Sequence, residues 1–150
     1  MGCAPAGQGN FKTMDPDVAL HYSAQAAGLW TAMQLLLLLV LSLLVVRQRQ
    51  KHSVLLGDEG IPQLAQAIRA FGNAAEYAPA GVGGLIALAV VGAPAAAVHI
   101  AGALLLVGRV SHAVALSRSG GSSVLRSAGM LLTWLSYIFE IVALGIFAVS

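Results

Sequence analysis

Two long stretches of the chain carry no Asp, Glu, Lys or Arg: residues 18–46 and residues 77–108. Within the first, WTAMQLLLLLVLSLLVV (30–46) is almost unbroken apolar sequence, enough for one membrane span of roughly 20 residues. RQRQK (47–51) ends it abruptly. In the following SVLLGDEGIP, Gly57, Gly60 and Pro62 mark a loop, and Asp58 and Glu59 suit the N-terminus of the next helix. At about 1.5 Å per residue the second stretch is too long for one crossing of a ~30 Å hydrocarbon core; Gly92 and Pro94, in VVGAPAAA, supply the break. SRSGGSS (117–123) is a further loop. The pattern predicts helices at about 23–46, 62–91, 95–117 and 124–148, after an N-terminal tail of residues 1–22. Helix 2 must begin outside the hydrocarbon, because Arg69 and Glu76 lie in its first half.

Composition turns this pattern into a class. Of 150 residues 58% are hydrophobic and 9% charged, against roughly 25% charged in a soluble domain. That excludes a soluble fold, and the apolar content excludes disorder. An all-α, four-span membrane bundle remains. Eight Lys/Arg and a net charge of +2 are too few for nucleic-acid binding. A single cysteine, Cys3, permits neither an internal disulfide nor a Cys-based metal site. No internal repeat is evident. MGCAPA offers no apolar run before Cys3, so it does not read as a lipoprotein signal. Ala6 stands where a myristoylation motif needs Ser or Thr, and Met14 is an alternative start.

The charges also orient the chain. Seven of the eight Lys/Arg fall between 47 and 126, in or beside the first and third connections. By the positive-inside rule those connections are cytoplasmic and both termini face the opposite side.

Ionisable residues within spans are costly, so each is a functional hypothesis. Arg69, Asn73 and Glu76 are spaced i, i+4, i+7; at about 100° per residue they form one narrow stripe, flanked by Gln66 and Tyr77. Such a stripe is either a self-neutralising ladder that glues helices together or part of a site. Arg109 and His112 share a face of helix 3, and Arg126 opens helix 4. With the topology above, all these groups sit at one depth on the cytoplasmic side. Three arginines against one carboxylate suit an anionic ligand carrying carboxylates. His99 and Glu140 form a separate set in the outer halves of helices 3 and 4, expected to contact each other, and are too few for a metal. Trp30, Tyr22, Trp134 and Tyr137 read as belt or packing aromatics.

IRAFGNAAEYAP (68–79) resembles the signature of the MAPEG superfamily, membrane-associated proteins in eicosanoid and glutathione metabolism, through Arg69, Asn73, Glu76, Tyr77 and Pro79. GDEGIPQLAQA looks like the helix-2 entry of its bacterial branch. GRVSHA (108–113) followed by Arg126 resembles the helix-3 motif and the arginine that opens helix 4. The resemblance spans about 55–130 and implies a four-helix subunit assembled as a homotrimer. It implies glutathione, as co-substrate, in the cytosol-facing half between subunits, held by Arg69, Asn73, Glu76 and Tyr77, with His112 and Arg109 beside it. It gives Arg126 the role of stabilising the thiolate, and lets Arg47 or Arg49 reach a neighbour's site. Phe71 and Leu116 depart from the pattern: relatives often carry His or Gln at the first position and several active members carry Tyr at the second. Both changes remove hydrogen bonding to the ligand.

The reading that follows is a bacterial inner-membrane trimer with periplasmic termini. It uses glutathione to conjugate or reduce lipophilic electrophiles that arrive through membrane lipid, beside helix 1 or helix 4. The alternatives are a non-catalytic lipid-binding or scaffolding member, and a small transporter subunit using Glu76 or Glu140 as proton carrier. The transporter reading lacks the broken helices and repeats that such folds use.

Overall fold

The computed structural model describes residues 16–118 and 123–149. They form four helices and no strand: α1 (Pro16–His52), α2 (Pro62–Val90), α3 (Ala95–Arg118) and α4 (Val124–Phe147). The hydrophobic pattern places α2, α3 and α4 to within a residue or so. It misplaces both ends of α1. Pro16–Tyr22 are helical rather than part of a tail, and residues 1–15 lie outside the described residues. Pro at the first turn, with Asp17 beside it, is a favourable helix start, and Arg49, Lys51 and His52 complement the dipole at the other end. Charge ends the hydrocarbon-compatible run at Val46, not the helix.

The connections are built by local chemistry. Asp58 and Glu59 precede α2, whose first turn holds no acidic residue; the Asp58 Oδ1 accepts from the Gly60 amide at 3.0 Å and closes the loop. The N-cap of α2 is Ile61, with no side-chain cap, and Pro62 supplies the fixed φ of the first turn. Gly92 has φ +77°, a conformation that favours glycine, and reverses the chain between α2 and α3 just before Pro94. At α4 the Ser123 hydroxyl accepts from the Arg126 amide at 3.2 Å. Residues 119–122 of the third loop lie outside the described residues.

α2 and α3 form the centre, with α1 packed on one side and α4 on the other; α1 and α4 do not touch. The core has two parts. A larger apolar cluster includes Leu85, Leu88, Val98 and Leu105, and a smaller one at the opposite end includes Leu41, Ala70, Ala113 and Leu116. α3 and α4 cross closely on glycines. A Cβ on Gly108 would lie 2.8 Å from the Gly129 carbonyl oxygen, and one on Gly129 would lie 2.6 Å from the His112 amide. Small residues permit such backbone approach in membrane bundles.

The outward faces of α1 (Leu36, Leu39, Leu43) and α4 (Leu135, Ile138, Ile141) are exposed, as lipid contact requires. α1, α3 and α4 are long and apolar enough to cross a membrane. α2, with 29 residues, has the length, at about 1.5 Å per residue, but Arg69, Asn73 and Glu76 dilute its first half.

Candidate functional site

Where α2, α3 and α4 converge near the basic end, they enclose a pocket of about 410 Å³. α2 contributes Arg69, Asn73, Glu76 and Tyr77, α3 contributes His112, and α4 contributes Arg126, Ser127 and Met130. A recess of about 190 Å³ adjoins it, sharing Arg69 and Arg126 and lined otherwise by Ala65, Gln66 and Leu116. Six residues singled out in the sequence thus meet at one cavity. The i, i+4, i+7 spacing aligns the α2 set, and the Gly108–Gly129 crossing brings His112 against the first turns of α4.

Two expected members of the site are elsewhere. Arg109 is 1% exposed and stands behind the pocket, not in its wall. Its Nε donates to Thr133 Oγ1 at 2.9 Å, one terminal nitrogen to Asn73 Oδ1 at 2.8 Å, and the other faces Met130 Sδ at 3.8 Å. Its guanidinium carbon lies 4.9 Å from the centre of the Tyr77 ring. These neutral partners hold the buried guanidinium in place; it locks α2, α3 and α4 together and aims Asn73. Arg47 is exposed on α1 and does not line the α2–α3–α4 pocket, because α1 lies on the far side of α2 and α3 from α4. Within one subunit it does not reach the pocket.

The ladder along α2 does not form. Asn73 turns inward to Arg109, while Arg69 and Glu76 are exposed on the pocket side and make no ion pair or hydrogen bond among the described residues. The same holds for the Arg126 guanidinium; only its backbone is engaged, the amide by Ser123 and the carbonyl by His112 Nδ1 at 3.0 Å. A carbonyl only accepts, so His112 carries a proton on Nδ1. Its Nε2 is buried without a partner, in a ring that is 3% exposed. In the neutral ring that nitrogen is an acceptor. The pocket thus offers two unpaired guanidiniums, one unpaired carboxylate and one buried acceptor, a set that complements a zwitterionic ligand richer in anions than in cations.

Of the two departures noted in the sequence, Phe71 packs with the smaller core cluster, and Leu116 is buried in the adjoining recess. The expected His99–Glu140 contact is absent. His99 Nδ1 accepts from the Trp30 indole at 3.1 Å, with the rings edge to face. Glu140 takes the Ser136 hydroxyl at 3.3 Å and packs its carboxylate over Gly84 of α2, whose missing side chain leaves the room. Tyr137 is more than a packing aromatic: its hydroxyl donates to the Tyr77 carbonyl at 2.5 Å and ties α4 to α2. Among the described residues no cluster of three or more His, Cys, Asp or Glu could hold a metal ion. Sequence reasoning missed Ser127 and Met130 as wall residues; their position beside Arg126 and one turn beyond it was the available signal.

The family model of the MAPEG family matches residues 27–146. The chain is 34% identical over 117 residues to the inner membrane protein YecN of Escherichia coli (strain K12), covering 78% of this chain and 88% of that protein. The YecN of Escherichia coli O6:H1 matches to the same extent. No solved structure matches significantly. With the family model running from α1 through α4 and the motif residues gathered at one pocket, the chain belongs to the MAPEG family.

Proposed function

We propose that the pocket binds glutathione and activates its thiol for attack on lipophilic electrophiles, as a transferase or peroxidase. The observation that carries this reading is the unpaired set itself: the side chains of Arg69, Glu76 and Arg126 line one cavity with no partner among the described residues, and His112, in the same wall, keeps its buried Nε2 unpartnered. Glutathione carries two carboxylates, an ammonium and a thiol. Arg69 supplies a fork for one carboxylate, Glu76 a counter-charge for the ammonium, and His112 Nε2 an acceptor for a ligand N–H. Arg126 stabilises the thiolate. Asn73 and Tyr77, held by Arg109, shape the wall. The nucleophile is the ligand's thiol, so the protein needs no cysteine for the chemistry.

Exposed Arg69 and Glu76 on an open face also support a homotrimer in which a neighbour closes the pocket, and an exposed basic end of α1 supports Arg47 reaching the adjacent subunit's site. Native mass spectrometry in mild detergent should then show trimers; monomers alone would count against an inter-subunit site. The test of activity is the ultraviolet absorbance of thiolate on adding glutathione, measured beside conjugation of a hydrophobic aryl halide. A thiolate signal with turnover supports the enzyme. Binding without either supports a non-catalytic lipid-binding or scaffolding role, which Leu116, apolar in the recess beside Arg126, favours.

The pocket must also open to the cytosol, where glutathione is supplied. We place the chain in the inner membrane with both termini periplasmic. A cysteine at Leu56, 86% exposed in the α1–α2 loop, in a Cys3→Ser background, should be shielded from an impermeant thiol reagent in intact cells. Labelling there would reverse the orientation.

A further inference from the structure

α4 is seated on α2 at two points. Tyr137 donates its hydroxyl to the Tyr77 carbonyl. One turn further on, the Glu140 carboxyl packs over Gly84, where a Cβ would overlap its Oε2. Tyr77 and Gly84 are seven residues apart, so both seats fall on one face of α2. The first seat borders the pocket through Tyr77; the second has no part in the chemistry proposed above. Glu140 is 5% exposed and stands 14 residues after Arg126. That is about 21 Å along the helix, inside a ~30 Å hydrocarbon layer, where an unpaired carboxylate is costly.

The hydrogen bonds around Glu140 fix where its proton is. Ser136 Oγ lies 2.8 Å from the Ala101 carbonyl oxygen and 3.3 Å from Glu140 Oε1. A serine hydroxyl has one proton, and a carbonyl oxygen only accepts. Two oxygens approach to 2.8 Å with a proton between them, so the Ser136 proton lies on the Ala101 side. Ser136 then turns a lone pair to Glu140, and their contact is a hydrogen bond only if Glu140 supplies the proton. Among the described residues no cation pairs with an ionised form. On α2, Tyr77 lies two turns toward the basic end, with Glu76 and Arg69 in the pocket wall. On α3, Arg109 is engaged by Thr133 and Asn73, His99 by the Trp30 indole, and His112 by the Arg126 carbonyl. On α4 itself, Tyr137 is the ionisable neighbour, and Arg126 is at the far end.

We propose that Glu140 is a proton-binding site within the membrane, and that its proton keeps α4 seated on α2. The neutral acid donates to Ser136 and fits over Gly84. The ion faces the Ser136 lone pair with no counter-charge. It is relieved when α4 swings off α2, a movement that α1 does not restrain because it does not touch α4. Parting the seam draws Tyr137 off the Tyr77 carbonyl and loosens one wall of the pocket. The seated form holds one proton more than the parted form. By linkage, the parted-to-seated ratio rises up to about tenfold for each pH unit over which that proton leaves.

The experiment uses the full chain in lipid nanodiscs without glutathione, so it and the glutathione reading can fail independently. Infrared difference spectra between about pH 6 and about pH 9 should show the carbonyl stretch of a protonated carboxyl, lost at the higher pH. Glu140→Gln should lack this band, and Ser136→Ala should shift it, because the acid loses its acceptor. The seam is followed by spin labels on cysteines replacing Val90 and Val149, exposed residues at the ends of α2 and α4 beyond Glu140, in a Cys3→Ser background. With native Glu140 the long-distance population should grow with pH, up to about tenfold per unit. With Glu140→Gln it should stay flat, since the amide keeps a neutral donor for Ser136, and this variant should melt like wild type at about pH 6. No carboxyl band that Glu140→Gln removes, or a seam that opens equally with and without Glu140, would overturn the proposal. A band that persists to about pH 9 over a closed seam would overturn it too, making Glu140 a fixed structural acid.

Discussion

Arg126→Ala should leave glutathione bound and nearly stop its use. A free thiol titrates near pH 8.5, so at pH 7 only about 3% of it is thiolate. A guanidinium beside the sulfur favours the charged form and lowers that value. Lowering it by about two pH units takes roughly 2.7 kcal/mol of thiolate stabilisation, within reach of a partly desolvated cation. Removing Arg126 returns the thiol to its ordinary titration, and at pH 7 the thiolate fraction falls by about 25-fold. Turnover of an aryl halide should fall at least tenfold, and the rising limb of its pH profile should move upward by about two pH units. The variant should recover rate as the pH approaches 9. Arg126→Lys should restore part of both, since it keeps the charge and loses the fork. The Arg126 guanidinium has no other partner among the described residues, so its loss should not destabilise the bundle. A variant with an unshifted pH profile would remove Arg126 from the chemistry.

Gly129→Ala should have the largest effect on stability. The new Cβ would lie 2.6 Å from the His112 amide and 2.7 Å from the Gly108 carbonyl oxygen. Both are backbone atoms on a helix packed against α1 and α2 as well, so α3 and α4 must part. Overpacking of this kind costs about 1–3 kcal/mol, roughly a 2–12 °C drop in melting temperature for a chain of this length. Separation also breaks the His112 contact to the Arg126 carbonyl, so ligand binding should weaken with stability. Gly145→Ala is the control, because nothing lies within 4 Å of its would-be Cβ; it should melt like wild type. If Gly129→Ala does too, the close crossing is not what positions the pocket.

Much of this arrangement is legible in the chain because its causes are local or periodic. The breaks at Gly92–Pro94 and SRSGGSS follow from turn chemistry, and the α2 stripe follows from the helical repeat. Convergence of the three segments follows from counting depth along antiparallel spans. What was misread depends on facing. Arg109 and His112 share a helix face, yet one points behind the pocket and the other into it; only the tight α3–α4 crossing decides which. His99 and Glu140 have similar depths but different partners, since Trp30 from α1 and Gly84 from α2 offered nearer contacts. The ends of α1 were misplaced because hydropathy reports where lipid ends, not where hydrogen bonding ends. Gln34, a lone amide inside a leucine run, is legible as a polar intrusion, but its lack of a partner is visible only in three dimensions.

Calorimetric titration of glutathione into the purified protein and its Arg69→Ala variant decides whether the pocket between α2, α3 and α4 is a glutathione site. Arg69 has no partner among the described residues, so a charge-assisted hydrogen bond to a ligand carboxylate is its use in this reading. Losing that bond costs roughly 1.5–3 kcal/mol, or about 10- to 150-fold in affinity, without a change in melting temperature. Wild type should bind glutathione saturably, and the variant should show that loss. No binding by wild type, or equal binding by both, would contradict it, and the α2 stripe would then be a structural feature of the bundle.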